Sequence, residues 1–162
     1  MISNIWKADT GQIHVSISMK EWRNEKMIKP IMKDILFLGQ KCQPATKEDL
    51  YIANDLRDTL QAHKDRCVGM AANMIGYKKR IIIVSAGFVD MILINPEIVG
   101  RSGEYETEEG CLSLDGVRKT KRYKDIEVKF LNESFEEQRQ TFSGFIAQNI
   151  QHQCDHLEGV II

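Results

Sequence analysis

No apolar stretch in the 162-residue sequence runs beyond a few residues, the IIIV at 81–84 being typical. A membrane-crossing helix needs about 20 apolar residues in a row, so none is expected. The opening MISNIWKADTG also lacks the charged-then-apolar order of a secretory leader, which leaves the cytosol as the expected compartment. Cysteine is sparse. The four residues, Cys42, Cys67, Cys111 and Cys154, are irregularly spaced with no CxxC pair, so free thiols or metal ligands are expected rather than a disulfide framework. Net charge is nearly absent as well: 22 basic against 23 acidic residues, interspersed, leave a formal −1 and argue against a nucleic-acid or membrane surface as the main partner. The three prolines and eleven glycines gather into no linker, and no repeat appears, so the chain reads as one domain.

What is present is ordinary globular material, 43% hydrophobic and 28% charged, with legible periodicities. From Thr46 to Lys64 the pattern is helical, with Ile52, Leu56 and Leu60 recurring every fourth position and Thr46 with Asp49 forming a start signal after Pro44. The segments Arg80 to Val84, Met91 to Ile94 and Ile126 to Phe130 are short and rich in β-branched residues, and read as strands. Asn132 to Ser134 supplies a turn toward a partner strand at Gln138 to Phe142. From Gly144 to Leu157 the helical period returns, with Ile146, Ile150 and Cys154 on one stripe and Gly159 placed to stop the helix. Helices combined with hairpin-like strands predict an α+β fold. The IHVSIS stretch at 13–18 alternates like an edge strand, and MIKPIMKD from Met27 would also serve as a chain start. Residues 1–27 are therefore read as an N-terminal extension and 28–162 as the domain.

Chemistry concentrates in QHQCDHLEG at 151–159. His152 and His156, four apart on a helix, lie on one face and can each offer a ring nitrogen to one ion. A pair of unrelated surface histidines is the plainer alternative, and a third ligand is needed to decide. EEGCLSL at 108–114 supplies a candidate in Cys111, preceded by a glycine that frees the backbone to turn sharply. Taken alone, Cys111 would read as a small buried hydrophobe. Cys154, two positions from His152, points to the other side of the helix and reads as core.

Together, CVGMAANM (Cys67 to Met74), EGCLS (Glu109 to Ser113) and HQCDH (His152 to His156) resemble, in order and separation, the three motifs of the peptide deformylase family. The likeness runs from about Ile28 to Ile162. It implies strands surrounding a metal-bearing helix, and Cys111, His152 and His156 on one divalent ion with water in the fourth position. Fe²⁺ is the implied native metal, with Zn²⁺ and Ni²⁺ also fitting. It further implies hydrolysis of formyl-methionyl peptide termini, a substrate strip at Val68, Gly69 and Met70 that pairs with an extended peptide, and an oxyanion donor in the backbone N–H of Leu112. A transient encounter with the ribosome belongs to the same expectation; direct binding to nucleic acid or membrane does not. A three-ligand site with an open position is the catalytic arrangement, and a thiolate donor suits a borderline ion. Asp155 is expected to pair with an arginine, Arg118 or Arg122, rather than with the metal.

Two positions depart from the family pattern. Gln153 stands where the family has the glutamate that carries protons, and an amide hydrogen-bonds water without accepting its proton at neutral pH. Met74 stands where the family has the glutamine that helps bind the oxyanion, and a thioether donates nothing. Cys67 replaces the first glycine of its motif, a mild change unless that position needs positive φ. The expectation is an impaired hydrolase. Three accounts fit: a divergent branch that manages without the glutamine, an inactivated enzyme that keeps fold and metal, or a non-catalytic homologue that binds peptide N-termini.

Overall fold

The computed structural model describes residues 26–162. The alternating IHVSIS segment lies outside them. The described elements run α1 (Ile35–Leu38), a 3₁₀ turn (Lys47–Asp49), α2 (Tyr51–Ala62), β1 (Gly69–Ala71), a second 3₁₀ turn (Ala72–Ile75), β2 (Ile81–Ala86), β3 (Val89–Cys111), β4 (Leu114–Leu131), β5 (Glu137–Ser143) and α3 (Gly144–Leu157). All five strands form one antiparallel sheet in the order β1-β2-β3-β4-β5, a meander in which each strand pairs with its neighbour in sequence. The α+β expectation holds, and α3 packs against β1, β2, β4 and β5.

The predicted helix at 46–64 divides at its start. Asp49 accepts the backbone N–H of Thr46 at 2.8 Å, as the start signal suggested, but this closes a 3₁₀ turn, and the α-helix proper begins at Tyr51. Ile52, Leu56 and Leu60 form its fully buried stripe. In β2, four consecutive residues, Ile81 to Val84, are completely buried, because α2 and α3 both pack against this strand. That explains a continuous apolar run where a half-exposed strand would alternate.

The turn at Asn132 forms as expected, its side-chain oxygen accepting the backbone N–H groups of Ser134 and Glu136. Helix α3 spans Gly144–Leu157, and Gly159 with φ +74° follows its end. Only glycine fits there, since a Cβ would lie 2.6 Å from the carbonyl oxygen of Gly39.

The largest departure is the length of β3 and β4. The predicted strands at 91–94 and 126–130 are the inner ends of a long ribbon whose outer half, Gly100 to Cys111 against Leu114 to Glu127, carries the metal-motif cysteine to the sheet's end. Register shifts at Ile94/Glu97, Ile98/Gly100 and Gly110/Cys111 bend the pairing. The sharp turn expected at Gly110 is displaced. Gly110 lies within β3 opposite Val117 without positive φ, and the chain reverses after Cys111, through Leu112 and Ser113, to pair Cys111 with Leu114.

Candidate metal centre and substrate cleft

Helix α3 presents His152 and His156 one turn apart, and the β3–β4 turn presents Cys111. The Cys111 Sγ lies 3.2 Å from His156 Nε2, which lies 3.2 Å from His152 Nε2, and all three donor atoms fall within 4.8 Å of one another. Bonds of about 2.1 to 2.3 Å to one tetrahedral ion would separate its ligands by roughly 3.4 to 3.8 Å, so the donor set fits a single cation. The two imidazoles are buried and Cys111 half-buried. Cys154 is buried among apolar neighbours, its thiol pushed up to about 12 by burial, in keeping with a core role. All four cysteines are free thiols.

Behind the donors runs a chain of charges. Glu109 accepts from His152 Nδ1 at 2.9 Å, from Arg122 Nη2 at 2.6 Å and from Gln148 Nε2 at 2.9 Å. Arg122 Nη1 in turn donates to Asp155 Oδ2 at 2.7 Å. Arg122 is therefore the partner of Asp155, and Arg118 is not: its guanidinium donates to the backbone carbonyl of Asp115. Because a carboxylate only accepts, His152 carries a proton on Nδ1 and turns Nε2 toward Cys111 and His156.

Burial on its own would raise the Cys111 thiol, but hydrogen bonds from His152 and His156 outweigh it and bring the group down to about 6. Burial would likewise lower His152, yet its bonds to Cys111 and Glu109 lift it to about 9. The site thus holds a thiolate readily, the form a metal requires.

Glu109 is subject to the same contest: burial pushes it up, and bonds from His152, Arg122 and Gln148 pull it from its usual 4.5 to about 2. A carboxyl lowered by folding stabilises the fold fully above its unfolded value and loses that contribution as pH falls through its folded one. Glu109→Gln is accordingly expected to destabilise the metal-free protein by about 3 kcal/mol at pH 6, with the gap narrowing between about pH 4.5 and 2. Urea midpoints measured across that window test it, and a gap constant down to pH 2 would refute it.

Beside the donors opens a cavity of about 620 Å³ lined in part by Val68, Gly69, Met74, Leu112, His152 and Gln153. Five of the residues singled out in the sequence for substrate or proton chemistry, Val68, Gly69, Met74, Leu112 and Gln153, thus reach one space. Met70, the sixth, turns its side chain into the core, so it can contribute to the strip only through its backbone. Strand β1 is an edge of the sheet, paired with β2 alone, and the exposed Val68 leads into it from the cavity wall. Cys67 does not adopt positive φ, so cysteine is tolerated there, and its thiol donates to the Gly69 carbonyl. The Met74 sulfur accepts a long contact from the Ala71 N–H at 3.4 Å and offers no donor to the cavity.

Sequence reasoning did not find Glu109, Gln148 or Asn149 as individual contributors. Glu109 had a local signal in its place two residues before Cys111 in EGCLS. Gln148 and Asn149 had none, since they matter through contacts with segments about 40 and 80 residues away.

The polypeptide deformylase family model matches residues 27–162. The chain belongs to the peptide deformylase family. It is 57% identical to a peptide deformylase of Clostridium beijerinckii over 136 residues, which are 84% of this chain and the whole of that relative. The solved class I type b peptide deformylase of Acinetobacter baumannii bound to Met-Ala-Ser superposes with a TM-score of 0.77 at 28% identity, covering 85% of this chain and 97% of that one. The Thermus thermophilus peptide deformylase gives a TM-score of 0.74 at 29% identity, with 83% of each chain covered. As a peptide deformylase, the chain is a metal-dependent hydrolase that removes the N-formyl group from nascent peptides and acts in N-terminal processing during protein biosynthesis. Among the described residues, no helix is long and apolar enough to cross a membrane.

Proposed function

We propose that this deformylase works in the cytoplasm on formyl-methionyl termini, encountering the ribosome transiently, with one divalent ion on Cys111, His152 and His156, natively Fe²⁺ and replaceable by Zn²⁺ or Ni²⁺. The observation that carries the assignment is the convergence of one sulfur and two ring nitrogens within 4.8 Å at the wall of the cleft. A cation held there supplies Lewis acidity, which makes water nucleophilic and polarises the formyl oxygen.

The chain's own residues do the rest. Val68 and Gly69 offer an extended peptide the edge of β1, where a glycine permits close approach. The backbone N–H of Leu112, at the cavity wall, serves as the donor for the developing oxyanion. Gln153 orients the attacking water through its buried side-chain oxygen, which has no hydrogen-bond partner among the described residues, but it cannot carry a proton to the leaving amine. Met74 adds no second oxyanion donor. Both shortfalls act on the transition state, so the enzyme is slow for its family while ground-state binding of peptide is kept.

The second reading, a non-catalytic homologue that binds peptide N-termini, is favoured by the same two positions and makes a different prediction. Protein purified anaerobically and analysed for metal is expected to carry about one ion per chain and to turn over a formyl-methionyl tripeptide about 10²- to 10⁴-fold more slowly than an ordinary member. Turnover at the ordinary rate refutes the handicap. Peptide binding with no turnover at full metal content selects the second reading, and absence of metal at the three ligands, tested by their replacement with alanine, sinks both.

A further inference from the structure

Asn149 and Gln153 lie four residues apart on α3 and therefore share a face. Asn149 Nδ2 donates to the Val68 carbonyl at 2.7 Å, and Gln153 Nε2 donates to Asn149 Oδ1 at 3.1 Å. The direction of this relay is forced from its far end. A backbone carbonyl only accepts, so Asn149 turns its amino group to Val68 and its oxygen to position 153, which has to answer with a donor. Glutamine can do so; an ionised glutamate cannot. Room for the relay comes from Gly69, where a Cβ would lie 2.4 Å from Asn149 Oδ1. At the near end, with its amino group engaged, Gln153 keeps a buried Oε1 that no group among the described residues satisfies, on a residue lining the cleft with Leu112 and His152.

Building on the reading of Gln153 as the occupant of the proton carrier's position, we propose that Asn149 is a positioning residue that matches this site to glutamine. It holds the amino group of Gln153 and thereby leaves the carbonyl oxygen free as the acceptor for the attacking water. The match works against reversion. A glutamate at 153 either sets a carboxylate oxygen against Asn149 Oδ1 or makes Asn149 rotate and set that oxygen against the Val68 carbonyl. Each arrangement leaves an acceptor facing an acceptor. Residues 149 and 153 therefore behave as a pair, and the change at 153 is more than an isosteric swap on an otherwise indifferent helix.

A double-mutant cycle on the full-length, metal-free protein tests the pairing through thermal melting. Q153E is expected to lower the midpoint by about 4 °C beside Asn149 and by less than about 1 °C in the N149A background. Equal shifts in the two backgrounds overturn the proposal, because an Asn149 with a purely structural role gives additive effects. Since N149A removes a buried side chain, N149S serves as a second background, and the wild-type protein gives an independent reading by NMR. One side-chain amide proton of Gln153 should exchange with solvent at least about tenfold more slowly than those of the exposed Gln61, and equal exchange overturns the relay. Turnover by the metal-loaded protein is read separately, and Q153E is expected to gain at least about tenfold more in the N149A background than beside Asn149. Non-additive melting with no gain in rate in either background upholds the pairing and sinks the reading of position 153 as proton carrier. A gain in rate with additive melting sinks the pairing alone.

Discussion

Replacing Gln153 by glutamate is expected to raise kcat on a formyl-methionyl peptide by about 10²-fold at neutral pH, with little change in KM. The proposed deficit lies in the proton inventory. An amide at this position can orient water through a lone pair, but the proton released as water attacks, and required by the departing amine, would find no free carrier beside the donors among the described residues: Met74 and Leu112 are inert, the Glu109 carboxylate is taken up by His152, Arg122 and Gln148, and the Cys67 thiol bonds the Gly69 carbonyl. A carboxylate restores a carrier that can act in both steps. The gain belongs to kcat because proton transfer occurs only on the way to the transition state, whereas the β1 edge proposed to bind peptide is untouched. A pH profile should show the same change as a new acid limb, absent from the parent, where the introduced carboxylate protonates. The measurement requires equal metal content in the two proteins. Unchanged kcat at equal loading, both beside Asn149 and in the N149A background, removes position 153 from the proton pathway and shifts the shortfall to Met74, where M74Q is the next substitution to make.

How much of this was readable beforehand differs by residue. The convergence of Cys111, His152 and His156 was legible because helical spacing by itself puts His152 and His156 on one face, and because EGCLS and HQCDH carry their resemblance in short strings. Helix α3 was legible from end to end, since an apolar stripe, a glycine start and Gly159 all agree. The outer half of the β3–β4 ribbon was not. Its residues alternate between an exposed charged face, with Glu104, Glu106, Lys119 and Lys121, and a half-buried face that is itself mostly polar, with Thr107, Glu109, Thr120 and Arg122, so no apolar alternation marks them, and only pairing between the two strands makes them β-structure. Likewise, Gly69 was expected to matter for close approach of a substrate, while the structure adds a second reason, the side chain of Asn149 pressed against its α-carbon. Neither that contact nor the choice of Arg122 over Arg118 follows from spacing, because each joins segments far apart in the chain. Side-chain partners across a fold become visible only when its register is known.

Replacing Arg122 by leucine is expected to destabilise the metal-free protein by about 3 to 5 kcal/mol, or roughly 10 °C in melting temperature. Arg122 is 4% exposed and is the cation between two carboxylates. Its desolvation is already offset in the native fold by the forked bond to Glu109 and the bond to Asp155, so its own removal recovers little. What it leaves behind is costly: Glu109, also buried, loses its strongest partner and is driven toward its neutral form. A neutral Glu109 no longer holds the Nδ1 proton of His152 as firmly, the ring loses its fixed orientation, and metal affinity should fall about 10- to 100-fold. Arg122→Lys separates geometry from charge. A lysine supplies the positive charge as a single point and cannot serve both carboxylates in the planar manner of a guanidinium, so it should recover only part of the stability and less of the affinity. Arg118→Leu is the matched control, because among the described residues Arg118 makes one exposed bond, to a backbone carbonyl, and its loss should stay within about 0.5 kcal/mol. Melting curves and metal titrations of the three variants beside the parent decide the matter. If Arg122→Leu melts with Arg118→Leu and binds metal as the parent does, the charge chain behind His152 does not hold the site in place.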